Sequence, residues 1–271
     1  MNLWIIVILL GLVQGLTEFL PVSSSGHLVL LYNIFDITNN TILLSVILHL
    51  GTLVSIFVIY YKELFKLIKK PFCKTNICLI FTTAITVGIV LILKPFITNS
   101  FSGKFLLYGF LITAFILTFS EIWTTISKKK KKTKVSTNPI DITNLKINYF
   151  QASIIGLFQG LASFPAISRS GSTIAGGLIS GVDKEIVADY SFIASIPIII
   201  ASLILEIYEY IKVPASLDFS LLQILIGFII SFVVGILCIK FMLKTVKKQK
   251  LFLFSIYLFL LSIVLIIVKV V

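Results

Sequence analysis

Four side chains in two short polar segments could together act on a phosphate. Glu18, Ser24 and His27 lie in QGLTEFLPVSSSGH, residues 14–27, and Arg169 lies in PAISRSGST, residues 165–173. A guanidinium offers a planar fork of donors that fits phosphate oxygens two at a time, which an ammonium cannot copy. Arg169 is the only arginine among 23 basic residues, so lysine supplies every other positive charge. Anion binding is the expected role of Arg169, and a purely structural ion pair with Glu18 is the bland alternative. A serine hydroxyl beside a histidine is the minimal nucleophile–base pair. If a helix begins at Ser23 or Ser24, His27 shares a face with Ser24. The competing reading is a hydrogen-bonded structural histidine. Gln14 and Glu18 stand i, i+4 on a helical face that ends at Pro21, where a carboxylate could hold a divalent cation or orient His27. Gly26 and Gly171 would let the backbone approach an anion, with helix N-termini aimed at it. Ser168, Ser170, Ser172 and Thr173 add hydroxyls around Arg169.

The elements that must carry these groups are membrane helices. Of 271 residues, 58% are apolar and 13% charged, against roughly a quarter charged in a soluble domain. Stretches such as 42–60, 186–205 and 251–268 are long enough to cross about 30 Å of hydrocarbon. The net charge of +12 does not point to nucleic acid. The lysines sit in short loops, at 62–74, 128–134 and 240–250, which is a positive-inside pattern. That of 128–132 is expected to face anionic headgroups. Three cysteines without a CxxC support neither a metal site nor a disulfide framework. The N-terminus lacks a basic n-region and a cleavage site, so the first segment is expected to stay in the mature protein.

With the lysine loops cytoplasmic, six segments cross: 42–60, 77–97, 104–126, 186–207, 220–240 and 251–269. Polar links at 98–104 and 206–220 join the outer ends. Regions 1–36 and 149–182 are each broken by a Pro/Ser/Gly cluster, and neither half is long enough to span. Irregular backbone at membrane depth survives only when shielded by protein or lining a wet cavity, so both read as re-entrant helix–loop–helix hairpins. They also resemble each other. Residues 11–27, GLVQGLTEFLPVSSSGH, align without gaps on 156–172, GLFQGLASFPAISRSGS, with nine of 17 positions identical at an offset of 145. Fixed-offset similarity signals duplication. Three crossings between the copies make the second upside down, so their tips should face each other near the midplane. The expected fold is an all-α integral membrane protein of six transmembrane helices plus two re-entrant hairpins in an inverted-topology repeat. It forms one domain over 1–271, with repeats 1–126 and 149–271 joined by a basic cytoplasmic loop at 127–148.

The copies divide labour, since Glu18, Ser24 and His27 align with Ser163, Arg169 and Ser172. Ionised groups at the bilayer centre cost about 2.5–3.5 kcal/mol each on insertion scales, so Glu18 and Arg169 must pair, meet a ligand, or both. His49, in an apolar helix, reads first as a core histidine and second as a residue behind the site. Asp189 is a further candidate in that supporting role. Glu121, beside the lysine run, is expected to be solvated.

The two loops resemble those of the undecaprenyl-diphosphatase family, also called bacitracin-resistance proteins. The family's signatures are an acidic-or-Gln, three-residue gap, Glu motif running into a Ser/Gly/His loop, and a Pro-Gly-x-Ser-Arg-Ser-Gly-x-Thr loop. Gln14 stands where many members have Glu, and Ala166 replaces the usual Gly. Length and segment pattern match throughout. The resemblance implies hydrolysis of undecaprenyl diphosphate to the monophosphate, which recycles the lipid carrier of peptidoglycan synthesis and confers bacitracin resistance. It implies a multi-pass protein of the bacterial inner or plasma membrane whose partners are a polyprenyl diphosphate and membrane lipids, with no nucleic acid. A homodimer is one assembly it allows. Glu18, Ser24, His27 and Arg169 correspond to the family's site, supported by Gln14, Ser168 and Thr173, with Mg²⁺ or Ca²⁺ near Glu18. Ser24 as nucleophile with His27 as base, and His27 as nucleophile, both remain open. A phosphatase family with a second histidine six residues after its arginine is excluded, because position 175 is Ala. The rival of another class is a lipid or ion transporter, for which an inverted repeat is the usual plan. Transport needs anion binding but no nucleophile.

Overall fold

The computed structural model describes residues 2–37, 41–100, 105–128, 142–212, 219–248 and 250–268. Among them the fold is all helical, with ten α-helices and one short 3₁₀ turn at Ile142–Asn144. The helices are α1 Leu3–Thr17, α2 Ser24–Ile34, α3 Thr41–Lys69, α4 Lys74–Ser100 and α5 Leu106–Lys128, then α6 Tyr149–Leu161, α7 Arg169–Ile179, α8 Lys184–Lys212, α9 Leu221–Lys247 and α10 Phe252–Val268. Helix starts are set by polar caps. Asn148 with Gln151 and Ser220 with Gln223 form reciprocal capping boxes at α6 and α9. Lys66 and Lys69 close α3, and Lys244 and Lys247 close α9, where cations complement the helix dipole.

Among the described residues, five helices are long and apolar enough to cross a membrane, spanning Ile42–Lys69, Lys74–Ile97, Leu106–Ser127, Ile186–Lys212 and Leu221–Lys247. The chain is therefore a multi-pass membrane protein. The sixth expected segment is α10, a 17-residue apolar helix. Helix runs on into the first residues of two expected links. α4 runs on to Ser100 and α8 to Lys212, past Pro95 and Pro197 inside the helices. Most of the lysine loop at 128–134 lies outside the described residues. α1, α2, α6 and α7 have 15, 11, 13 and 11 residues, hence about 16–22 Å each at 1.5 Å per residue. α1 packs on α2 and α6 on α7, so each polar break turns the chain back on itself.

Small residues let these helices meet closely, as membrane packing requires. A methyl added at Gly11 would stand 2.9 Å from the Gly227 carbonyl oxygen and 3.2 Å from Ile230; one at Gly15 would meet Val234 at 2.7 Å. In the other half, a methyl at Gly156 would meet the Thr82 carbonyl oxygen at 2.6 Å and Ile85 at 3.1 Å, and one at Gly160 would meet Ile89 at 2.6 Å. Every pair in the second set is the first set shifted by 145 residues, forward in one helix and backward in the other. α1 thus lies along α9 as α6 lies along α4. The match is incomplete elsewhere. α3 packs along α9 over much of its length, whereas α8 and α4 touch lightly.

Gly51 on α3 meets α9 most tightly. A methyl there would stand 2.1 Å from Ser231 Oγ and 2.7 Å from the Phe228 carbonyl oxygen, while Gly88 on α4 has nothing within 4 Å. Gly51→Ala should lower stability by about 1–3 kcal/mol through overpacking. Gly88→Ala should raise it by about 0.5–1 kcal/mol through helix propensity. Thermal unfolding in detergent checks both, and equal shifts in the two variants would contradict the packing described.

Candidate active site

The site forms where the two tips meet. α1 ends at Thr17 with Glu18 as its C-cap, and α7 begins at Arg169 after the N-cap Ser168. Arg169 Nη2 donates to Glu18 Oε1 at 2.9 Å. Glu18 Oε2 accepts from Ser24 Oγ at 2.6 Å and from Gln14 Nε2 at 3.0 Å. Its side chain is 3% exposed, and that of Arg169 is 22% exposed. Four of the predicted residues, Gln14, Glu18, Ser24 and Arg169, therefore form one hydrogen-bonded cluster. The tips also touch through packing. Ser170 Oγ donates to the Leu20 carbonyl at 3.0 Å, a methyl on Gly171 would stand 3.0 Å from Pro21, and one on Gly26 would meet Ala166 at 2.9 Å. The room at Gly26 and Gly171 is thus filled by the opposite tip or by Phe110, not held open for an anion.

Each tip holds a non-glycine residue at positive φ, Ser23 at 73° and Ala166 at 61°. Such backbone persists only where surrounding contacts over-determine it. Here Ser23 caps α2 by accepting from the Gly26 amide at 3.3 Å, and Ala166 is fully buried, with Gly109 of α5 against the Pro165 and Ala166 backbone. Thr113 of α5 accepts from the Ser168 amide at 3.0 Å and fixes the Arg169 loop from the other side.

The predicted ring of hydroxyls is mostly committed to structure. Ser168 caps α7 by accepting from the Gly171 amide at 3.1 Å. Thr173 donates to the Arg169 carbonyl at 2.9 Å and contacts Ser191 in a very short hydrogen bond. Among the described residues, Ser172 Oγ is buried with no partner, as are Arg169 Nη1 and Gln14 Oε1. A buried donor or acceptor left unmade costs about 1–3 kcal/mol. Two of these atoms, Arg169 Nη1 and the oxygen of the Gln14 amide that donates to Glu18, belong to the ion-pair cluster and mark a place for a ligand rather than a finished core. A small pocket opens there, lined by Glu18, Phe19, Arg169, Ser170, Ser191, Phe192 and Ser195.

The structure does not bring Ser24 and His27 into hydrogen-bond contact. His27 Nδ1 lies 2.7 Å from the Ser23 carbonyl, which can only accept, so Nδ1 carries the hydrogen and Nε2 accepts from the Tyr257 hydroxyl at 2.7 Å. The ring stacks on Tyr257 and meets Phe110 edge-on. The shared helical face is real, but Tyr257 and Phe110 draw the imidazole to one side of it. Asp189 accepts from the Tyr60 hydroxyl at 2.8 Å, at the kink of α3, and does not line the pocket. Glu121 differs from expectation. Its carboxylate accepts the Phe252 amide at 2.6 Å and caps α10.

Three further groups stand at or near the cluster, of which Thr52 and Glu206 were not foreseen and His49 was, as the second of its two readings. Thr52 Oγ1 lies 3.5 Å from Gln14 Nε2, and His49 Nε2 lies 3.7 Å from Glu18 Oε2. Glu206 on α8 has a buried Oε2 without a partner and is within electrostatic reach of His49, Glu18 and Arg169. Its signal was present, since a carboxylate inside an apolar segment is a site candidate by default. Nothing in the pattern around Tyr257 distinguished it from other lipid-facing aromatics.

For a divalent cation, no group of three His, Cys, Asp or Glu side chains gathers among the described residues. The donors on offer are oxygens, the Glu18 carboxylate and the unpartnered Gln14 Oε1. These suit Mg²⁺ or Ca²⁺ only if a ligand and water complete the shell, which is how such ions commonly sit on phosphate substrates.

The family model described as bacitracin resistance protein BacA matches residues 7–264. A protein named undecaprenyl-diphosphatase from Carboxydothermus hydrogenoformans is 39% identical over 97% of this chain and 96% of its own length. Proteins of the same name from Alkaliphilus metalliredigens, 38% identical over 92% of this chain and 93% of their own, and from Halothermothrix orenii, 37% identical over 96% of each, are similar to it along almost all of both chains. A lone arginine on a buried carboxylate that also accepts a serine hydroxyl, inside a chain matched from residue 7 to residue 264, places this protein in the bacitracin resistance protein BacA family.

Proposed function

We propose that the protein is an enzyme that hydrolyses undecaprenyl diphosphate to undecaprenyl phosphate in the bacterial plasma membrane, so recycling the carrier of cell-wall synthesis and conferring bacitracin resistance. The observation that carries this reading is the Arg169–Glu18–Ser24 chain with one guanidinium nitrogen left open. Arg169 Nη1 and Ser172 Oγ supply unused donors for the terminal phosphate. Ser24 and Arg169 stand at the N-termini of α2 and α7, where the helix dipoles favour negative charge. Ser24 attacks the terminal phosphorus, and its proton passes to Glu18 Oε2, with which it already shares a 2.6 Å hydrogen bond. The P–O bond to the lipid phosphate breaks, and undecaprenyl phosphate leaves into the bilayer. Water then hydrolyses the phosphoserine. Arg169 stays on the phosphate oxygens and balances the charge that develops there. In this arrangement His27, held by Ser23 and Tyr257, orders the tip rather than taking the Ser24 proton. Glu18 and Gln14 Oε1 would hold a divalent cation whose role is to neutralise phosphate charge.

The finer architecture belongs to the same proposal. The 145-residue correspondence of the α1–α9 and α6–α4 contacts supports two repeats of opposite orientation, 1–126 and 149–271. The short helices α1, α2, α6 and α7 support re-entrant hairpins, with α10 as the sixth crossing. The resemblance of the loops to the family favours access from the outer face.

Phosphate release by the purified protein from a long-chain prenyl diphosphate tests the assignment. Arg169→Ala should lower kcat by about 10²–10³-fold, the loss seen when a charge-stabilising donor is removed. Arg169→Lys should fail to restore it, because the fork geometry is lost. Ser24→Ala should lose about 10³-fold or more, as expected for a nucleophile; full activity in that variant would reject the serine mechanism. Chelation with EDTA should suppress release, and added Mg²⁺ or Ca²⁺ should restore it. Folded wild type that binds the lipid but releases no phosphate under any metal condition would favour a transporter.

A further inference from the structure

We infer that Tyr257 is a positioning residue of the reaction proposed above, on which this inference rests, acting through His27 and Ser23 to hold the Ser24 hydroxyl on Glu18. Ser24 is the first residue of α2 and follows Ser23, whose φ is 73°. The Ser23 backbone therefore sets where Ser24 Oγ points, and backbone in that region keeps its shape only under outside contacts. The Gly26 amide and the Ser25 hydroxyl lie 3.3 and 3.4 Å from Ser23 Oγ, and the His27 amide lies 3.3 Å from the Ser23 carbonyl. The short contact comes from the imidazole, whose Nδ1 gives its hydrogen to the same carbonyl at 2.7 Å. Nε2 then carries a lone pair, and the Tyr257 hydroxyl donates to it at 2.7 Å. The tyrosine ring also stacks on the imidazole, with centroids 5.8 Å apart and planes at 13°. Turning the imidazole over would set carbons in place of both nitrogens, so the bonds to Ser23 and Tyr257 stand or fall together.

Tyr257 comes from a firm neighbour. α10 is tied to α5 by Ser255 Oγ, which donates to the Ala114 carbonyl at 2.7 Å, and by Leu258, buried against Phe110 and Leu117. The ring of Tyr257 is 44% exposed, so its inward contribution is its hydroxyl and one stacked face. The first tip needs that support more than the second. α2 packs on α1 and lightly on α5, whereas α7 packs on α6, α5 and α8. The second tip shows the same plan in direct form. Its residue at positive φ, Ala166, is held from α5, where Thr113 Oγ1 donates to the Ala166 carbonyl at 3.3 Å and accepts from the Ser168 amide at 3.0 Å. The 145-residue offset between the two similar segments carries Thr113 to Leu258, beside Tyr257. Each strained tip is thus steadied by a hydroxyl from the last helix of the other half of the chain. Thr113 touches its tip, and Tyr257 reaches the other through His27.

Phosphate release should be measured for Tyr257→Phe, His27→Ala and the double variant, at a temperature where thermal unfolding in detergent shows all of them folded. Tyr257→Phe removes the hydroxyl and keeps the ring. It should lower kcat by about 10–100-fold, as a misplaced reacting group does, and leave KM nearly unchanged, because Tyr257 does not touch the substrate. On the residual rate of His27→Ala the same change should cost nothing further, since the hydroxyl acts only through the imidazole. A loss of packing alone would appear in both backgrounds. Nitrogen NMR of protein labelled in its two histidines reads the contact without turnover. The Nε2 signal that vanishes in His27→Ala should move in Tyr257→Phe. Wild-type or raised kcat in Tyr257→Phe, an effect on KM alone, losses that multiply in the double variant, or an unmoved His27 signal would each overturn the inference. Ser24→Ala measured alongside judges the underlying reading separately. Full activity there sinks the serine assignment, whereas an inactive Ser24→Ala with wild-type kcat in Tyr257→Phe sinks only the role of Tyr257.

Discussion

The contact between Glu18 and Arg169 is the constraint on which the rest of the site depends. Each charge alone would be expensive inside an apolar bundle, and neither tip carries its own counterion. The pair is 151 residues apart in sequence, so it forms only when both polar breaks arrive at one place. Everything that fixes the tips serves that meeting. Ser23 and Ser168 cap the two inner helices, Thr113 holds the Arg169 loop, and Ser170 ties one tip to the backbone of the other. Two residues at positive φ are tolerated for the same reason.

Such a site can be neither fully satisfied nor loose. A guanidinium locked two-pronged on a carboxylate would have nothing to offer a phosphate. An unpaired one would not stay in the membrane interior. The observed compromise is a single-pronged pair in which the carboxylate's other oxygen is claimed by Ser24 and Gln14. The same oxygen that makes the pair incomplete is the acceptor that can receive the serine proton. Ground-state stability and reactivity therefore draw on one atom, Glu18 Oε2.

Much of this was legible from residue types. The lone arginine, the intramembrane glutamate, the serine tip and the 145-residue repeat located the cluster and predicted that the tips would face each other. The pattern also put a break in each segment at its Pro/Ser/Gly cluster, although it ran the first helix on to Pro21 where the structure ends it at Thr17. What it could not give was rotamer choice. Ser24 and His27 share a helical face, yet Tyr257, 230 residues away, captures the imidazole. His49 looked like a core residue because its neighbours Leu48 and Leu50 are apolar, and its nearness to Glu18 is set by how α3 crosses α1. Glu121 looked solvated because lysines follow it, while its partner, the free amide at the start of α10, has no sequence signature.

The two similar segments, 11–27 and 156–172, show where function departs from structure. Gln14 and Gln159 occupy equivalent positions, and both are buried. Gln159 is closed on both sides, giving its amide to the Ala194 carbonyl at 3.3 Å and accepting from Thr86 at 3.3 Å. Gln14 gives its amide to Glu18 but leaves its oxygen unmatched. The difference follows from the residue one turn on, a glutamate at 18 and a serine at 163. In the second half the glutamine is a helix-packing residue, sealed as polar groups in an apolar interior should be. In the first half the same amide was drawn to a carboxylate, and its oxygen was left for something the polypeptide does not supply. The two glutamines thus give their own control: the one with both polar atoms matched holds helices together, and the one with an oxygen left over stands in the ion-pair cluster.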